Sequence, residues 1–133
     1  MALVTGVFLA LVVAALGAGS GLDRDRAYYP VVAIVVASYY ALFAVMGASL
    51  RVLLAEALVA AVFVIAAVAG FRRTLWIVVV ALAAHGLFDF VHAAIIANPG
   101  VPAFWPPFCA AFDVMAAVCL AWLISSGRIR AAA

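Results

Sequence analysis

Three ionisable side chains, His85, Asp89 and His92, lie within one apolar stretch of the chain that runs from Leu75 to Ala97. At about 100° per residue, all three point within an arc of roughly 60° on a helix, so they form one polar stripe. Imidazole and carboxylate groups at this spacing are ligands that divalent metals use. The H-x-x-x-D-x-x-H pattern therefore predicts a metal site on one face of a helix.

The composition places this helix in a membrane. Hydrophobic residues make up 73% of the 133 residues and charged residues 9%, and the mean hydropathy is +1.42. These values exclude a soluble domain with a polar surface. Five apolar runs each approach the ~20 residues that a helix needs to cross the hydrocarbon core. We therefore expect one all-α domain over residues 1–133, a five-span helical bundle with spans at about 1–19, 31–47, 52–70, 75–97 and 108–124.

The arginines predict the orientation of this bundle. All seven basic residues are Arg, and six of them fall in the first connection, the third connection and the C-terminal tail: Arg24, Arg26, Arg72, Arg73, Arg128 and Arg130. Since positive charge concentrates on the cytoplasmic side, we expect the N-terminus outside and the C-terminus in the cytoplasm, in a bacterial inner (plasma) membrane. A cleavable signal peptide is the alternative for the first run, but its arginines follow the apolar residues instead of preceding them.

Two further carboxylates extend the predicted site. Glu56 and Asp113, like His92, lie five or six residues from the outer ends of their spans. At ~1.5 Å per residue, each is roughly 7–9 Å below the outer surface. Asp89 is one turn deeper and His85 lies near the midplane. Ionisable groups in a membrane usually face the bundle interior, so three helices are expected to meet at one outward-facing site.

We expect a divalent metal, zinc, iron or manganese, at this site, because a dication would keep several buried carboxylates ionised. The candidate ligands are His85, Asp89, His92, Asp113 and Glu56. If the first three hold one ion, Glu56 or Asp113 is the candidate catalytic base. If two ions are present, both carboxylates are ligands.

Other polar side chains are expected around these ligands. Cys109 is four residues before Asp113 and shares its helix face. The second span crosses the midplane near its central polar residues, from which one tyrosine hydroxyl could reach His85. The candidate surrounding residues are Ser38, Tyr39, Tyr40 and Cys109.

The polar path ends at His85, because no ionisable residue lies between it and Arg73. A one-sided pocket favours a binding or reaction site over a channel. We expect metal-dependent hydrolysis or transfer on a lipid-like or small amphiphilic substrate. Two alternatives stay open: a small metal or proton transporter with a second route past His85, and an accessory protein whose polar groups only join its helices.

The fourth connection and the small residues of the spans indicate how the chain could contact substrate, other copies and the bilayer. Residues 98–107 contain four prolines beside Phe104 and Trp105, which predicts either a rigid lid over the site or a stiff turn with an aromatic anchor. Glycines and alanines on every span favour close helix packing, within the chain or between copies, and we expect a homodimer or larger homo-oligomer. No basic patch with interleaved aromatic residues suggests a nucleic-acid partner. The expected partner is the lipid bilayer.

Overall fold

The computed structural model describes residues 1–47 and 49–132. Five helices follow in order: α1 (Ala2–Ser20), α2 (Tyr28–Met46), α3 (Leu50–Arg72), α4 (Trp76–Ile95) and α5 (Trp105–Ser125), with a 3₁₀ turn at Leu22–Arg24. All five are long and apolar enough to cross a membrane. The predicted all-helical class, with five helices able to span a membrane, is confirmed, whereas their topology in the membrane and the side on which each end lies stay predictions.

Prolines set the beginning of two helices. The helices α2 and α5 each begin three residues earlier than expected from the sequence, and their first turns contain Pro30, Pro106 and Pro107. The first N–H groups of a helix have no partner within it, so a proline costs little there and its fixed φ suits the helix. Pro106 and Pro107, which the sequence placed in the fourth connection, therefore lie in the first turn of α5. The other helix ends lie within two residues of the predicted spans.

The helices pack as a bundle with α1 at its edge. The closest pairs are α4 with α5, α1 with α5 and α2 with α3, whereas α1 and α2 hardly touch. A Cβ atom at Gly6 would overlap the carbonyl oxygen of Phe108, so only glycine allows α1 to lie this close to α5. A Cβ atom at Gly86 would lie 2.9 Å from the carbonyl oxygen of Ala110, so α4 and α5 also approach closely there.

One arginine gathers three segments at the same end of the bundle. The Arg26 guanidinium donates hydrogen bonds of 2.5–2.9 Å to the carbonyls of Arg130, Ala131 and Ala132 in the tail, and to that of Phe71 near the end of α3. The first connection, the end of α3 and the tail therefore lie together, as the alternation of the spans predicts. We call this the arginine-rich end.

The two halves of the bundle have different interiors. Toward the arginine-rich end, the fully buried side chains are apolar and include Leu75, Val78, Leu82 and Leu120. Toward the opposite end, the buried side chains include carboxyl and imidazole groups. The fold thus confines the candidate site to one half of the bundle.

Candidate metal centre

All five predicted ligands lie inside the bundle. Their exposed fractions are 4% for His85, 2% for Asp89, 1% for His92, 1% for Glu56 and 0% for Asp113. They come from α3, α4 and α5, and the polar stripe of α4 faces inward along its length. Burial of so many ionisable groups is costly unless they bind one another or a cation.

Three of the five meet one cysteine in what we call the four-residue cluster: His85, Asp89, Cys109 and Asp113. One ligand atom from each residue can be chosen so that all four lie within 4.8 Å of one another. His85 Nδ1 lies 2.6 Å from Asp113 Oδ2 and 3.9 Å from Asp89 Oδ2. Cys109 Sγ lies 3.8 Å from Asp113 Oδ2. The cluster could therefore hold a metal ion.

Local helix geometry explains why these four side chains meet. His85 and Asp89 are four residues apart on α4, and Cys109 and Asp113 are four residues apart on α5, so each pair occupies one helix face. A Cβ atom placed at Gly86 would lie 3.2 Å from the Asp113 Cβ atom. Because the two helices approach this closely, the two pairs of side chains lie in contact.

Tyr40 is the tyrosine that reaches the cluster from α2. Its hydroxyl donates a 2.6 Å hydrogen bond to Asp89 Oδ1, so its partner is Asp89 and not His85 as the sequence suggested. Its ring stacks on the His92 ring, with centroids 3.9 Å apart and an angle of 25° between the planes. Tyr40 therefore contacts two of the predicted ligands at once.

The other two predicted ligands form a separate group, which we call the outer pair. His92 Nε2 lies 2.8 Å from Glu56 Oε1. Asn98 donates to the same Glu56 oxygen at 2.9 Å and to the backbone carbonyl of Tyr40 at 3.1 Å. The Tyr40 side chain, in contact with both His92 and Asp89, links the outer pair to the four-residue cluster. The structure thus brings the five predicted ligands into one network but divides them into two groups.

Several carboxylate oxygens in this network lack a partner. Among the described residues, no hydrogen-bond donor reaches Asp89 Oδ2, Asp113 Oδ1 or Glu56 Oε2, and all three atoms are buried. Buried oxygen atoms of this kind normally bind a donor or a cation. The two in the four-residue cluster lie beside an imidazole and a thiol, which together form a set of ligand types typical of zinc and iron sites.

Two of the predicted surrounding residues lie elsewhere. Ser38 is exposed and donates to the Val35 carbonyl of its own helix. Tyr39 packs against Trp105, with ring centroids 4.9 Å apart. Tyr40 and Cys109 therefore remain as the surrounding residues that reach the cluster, and Cys109 does so as a candidate ligand.

The sequence alone did not identify Asn98 or the aromatic residues that enclose the histidines. Asn98 is the polar residue that begins the irregular fourth connection, and this position was the signal available for it. Phe63 packs its edge on His85 with centroids 4.6 Å apart, and Phe88 packs on His92 at 5.5 Å. These rings keep the network in apolar surroundings, where electrostatic interactions are strong.

A cavity of about 550 Å³ lies between the fourth connection and His92. We call it the vestibule. Its walls include Asn98, Pro99, Pro102 and Pro106, so the proline-rich segment lies directly over the outer pair. Asn98 fixes this segment, because it also accepts a hydrogen bond from the Gly100 N–H at 3.1 Å.

No protein-family model, curated protein or solved structure shows significant similarity to this chain.

Proposed function

We propose that this protein binds a divalent metal ion in the membrane through His85, Asp89, Cys109 and Asp113. The observation that carries the proposal is the pair of buried carboxylate oxygens, on Asp89 and Asp113, that lack a partner among the described residues beside an imidazole and a thiol. A dication held by these four residues would offset the negative charge of both carboxylates. The thiol favours zinc or iron over manganese, since manganese prefers oxygen ligands.

The geometry supports a ligand set that differs from the one predicted from the sequence. Cys109 replaces Glu56 and His92, which bind each other at 2.8 Å. In this proposal Tyr40 is a positioning residue, because its hydrogen bond orients Asp89. Groups that orient metal ligands in this way contribute to the affinity of the site.

A catalytic role extends this proposal. A bound dication would supply a Lewis acid for hydrolysis or transfer on a lipid-like substrate. Glu56 is the candidate base, because one of its oxygens is unpartnered within the described residues and its partners His92 and Asn98 both line the vestibule. Water that enters the vestibule would first meet His92 and Asn98, the two hydrogen-bond partners of Glu56. Asp113 serves as a ligand in this scheme.

A structural role is the second candidate, and direct hydrogen bonds favour it. His85 joins α4 to α5 through Asp113 at 2.6 Å, and His92 joins α4 to α3 through Glu56 at 2.8 Å. Polar side chains join transmembrane helices in this manner without any metal. Ion transport has less support, because the described core toward the arginine-rich end is apolar.

Metal analysis of the purified protein in mild detergent separates the two candidates. We expect a stoichiometric divalent metal in the wild type and its loss in Asp113→Asn. After exchange with Co²⁺, we expect a thiolate-to-metal absorption band that disappears in Cys109→Ser. The matched control is Cys119→Ser, on the same helix but outside the cluster, which should keep the band.

The outcomes distinguish the ligand sets as well. His92→Ala should retain the metal if the four-residue cluster is the site, and should lose it if the set predicted from the sequence is correct. A folded wild type that binds no metal after incubation with Zn²⁺, Fe²⁺ or Mn²⁺ would refute the proposal and leave the structural role.

A further inference from the structure

A second cavity opens sideways between α1 and α2. Its volume is about 540 Å³, and α5 forms its floor. Its walls include Leu9 and Val13 from α1 and Val32 and Val35 from α2, and Cys109 lies on the floor. We call it the lateral groove. It exists because α1 packs on α5 and α2 packs on α3, which leaves a gap between α1 and α2.

Aromatic residues lie at both ends of the lateral groove. Toward the arginine-rich end, the Tyr28 hydroxyl donates a 2.8 Å hydrogen bond to the Val13 carbonyl, and its ring lies against Gly17. At the other end, Trp105 packs on Tyr39. Between these ends the wall residues are partly exposed at the depth of the hydrocarbon core, with 41% of Leu9 exposed, for example. The open side of the groove therefore faces lipid.

The dimensions of the groove suit one hydrocarbon chain. From Tyr28 to Tyr39, the groove runs along α2 for about 16 Å at ~1.5 Å per residue, which is close to half of the ~30 Å hydrocarbon core. A volume of about 540 Å³ over this length gives a mean cross-section of roughly 30 Å². A helix about 10 Å across has a section of roughly 80 Å², so the groove cannot enclose a helix of a second copy.

We propose that the lateral groove binds a single acyl chain of a membrane lipid, which enters from the bilayer between α1 and α2. Its walls are apolar and aromatic with few polar groups, as in other pockets for apolar ligands. Cys109 connects the groove to the candidate metal centre, because it lines the groove while its Sγ lies 3.8 Å from Asp113 Oδ2. The last step rests on the proposed function: if the metal centre is catalytic, the lipid whose acyl chain lies in the groove belongs to the substrate class.

Photolabelling with a phospholipid that carries a diazirine in its acyl chain tests this proposal. The protein is reconstituted in phosphatidylcholine vesicles that contain a small fraction of this lipid, and the labelled residues are mapped by mass spectrometry. We expect labels to concentrate on the groove walls, several-fold above Leu58 and Val62, which are lipid-exposed residues of α3. Leu9→Trp should fill the groove and reduce this labelling several-fold.

Two controls keep the result interpretable. Leu3→Trp, on the same helix and 50% exposed in the wild type, should leave the labelling unchanged because Leu3 does not line the groove. Val32→Phe fills the groove from α2 and should reduce the labelling as Leu9→Trp does. With two filling variants, the test remains valid if one of them fails to fold. Equal labelling of all lipid-exposed faces, or groove labelling that survives both filling variants, would overturn the proposal. Crosslinks between two copies of the chain at groove residues, formed in a parallel sample with a bifunctional reagent, would overturn it as well.

Metal content measured on the same samples separates this proposal from the proposed function. Leu9→Trp should keep the metal of the wild type while it loses the lipid label. If the labels concentrate in the groove but no metal binds, the lipid site stands and the metal centre fails.

Discussion

Removal of one hydroxyl group tests how the candidate metal centre is held in place. The Tyr40 hydroxyl donates a 2.6 Å hydrogen bond to Asp89 Oδ1, and both residues are 2% exposed. The substitution Tyr40→Phe deletes this bond but keeps the ring that stacks on His92. Asp89 then loses the only hydrogen bond that the described residues give it from another helix, so its carboxylate is free to rotate away from the metal.

The expected loss follows from two independent magnitudes. A hydrogen bond to a charged group contributes about 1.5–3 kcal/mol net. Removing a group that orients a metal ligand typically lowers the affinity by about 10–100-fold, which is roughly 1.4–2.8 kcal/mol at about 1.4 kcal/mol per factor of ten. The two ranges overlap. We therefore expect the metal dissociation constant of Tyr40→Phe to rise by about one to two orders of magnitude.

Competition with a chromophoric chelator in detergent measures this constant directly. The matched control is Tyr29→Phe on the same helix: Tyr29 is also 2% exposed, and its hydroxyl has no partner among the described residues. Its loss should leave the affinity unchanged. If Tyr40→Phe binds metal as tightly as the wild type while Asp113→Asn does not, then the hydrogen bond from Tyr40 does not position a metal ligand.

Three further predictions follow from the packing. Gly86→Ala should destabilise the protein by about 1–3 kcal/mol and weaken metal binding, because the new methyl group forces α4 and α5 apart. Thermal unfolding and metal titration measure the two effects. Gly19→Ala is the control, since its methyl group meets open space and should change neither quantity. Arg26→Gln should release the C-terminal tail, so trypsin should cleave the tail faster than in the wild type; Arg24→Gln is the control, and equal rates would contradict the role of the hydrogen bonds. Asn98→Ala should free the fourth connection from α2 and from the outer pair. Amide hydrogen exchange over residues 96–104, measured by mass spectrometry, should then be faster than in the wild type, and unchanged exchange would contradict this anchoring.

Much of the fold could be predicted because its signals are local. Runs of apolar residues indicated all five helices, and the spacing of His85, Asp89 and His92 predicted one buried stripe on α4, where the structure places them. Depth followed from helix rise alone, which placed Glu56 and Asp113 in the same half of the bundle. These inferences need only the geometry of one helix at a time.

The division of the site into two groups could not be predicted, because it depends on contacts between helices. The sequence fixes the angle between two side chains on one helix but not the rotation of neighbouring helices about their axes. That rotation turns Tyr40 toward Asp89 and His92 and turns Tyr39 toward Trp105. Asn98 was missed for a related reason, since it lies in an irregular segment whose path no periodic pattern specifies.

The packing of α1 on α5 has a consequence for how the molecule assembles. These two helices are the farthest apart along the described chain, yet they form one of the closest pairs in the bundle. During synthesis, α1 enters the bilayer well before its main partner exists, and it can dock only after α5 has followed. Because α5 also supplies Cys109 and Asp113, the candidate metal centre and the floor of the lateral groove are completed in the same late event. A chain that stalls before α5 would therefore leave the His85 imidazole within the membrane without its hydrogen-bond partner Asp113.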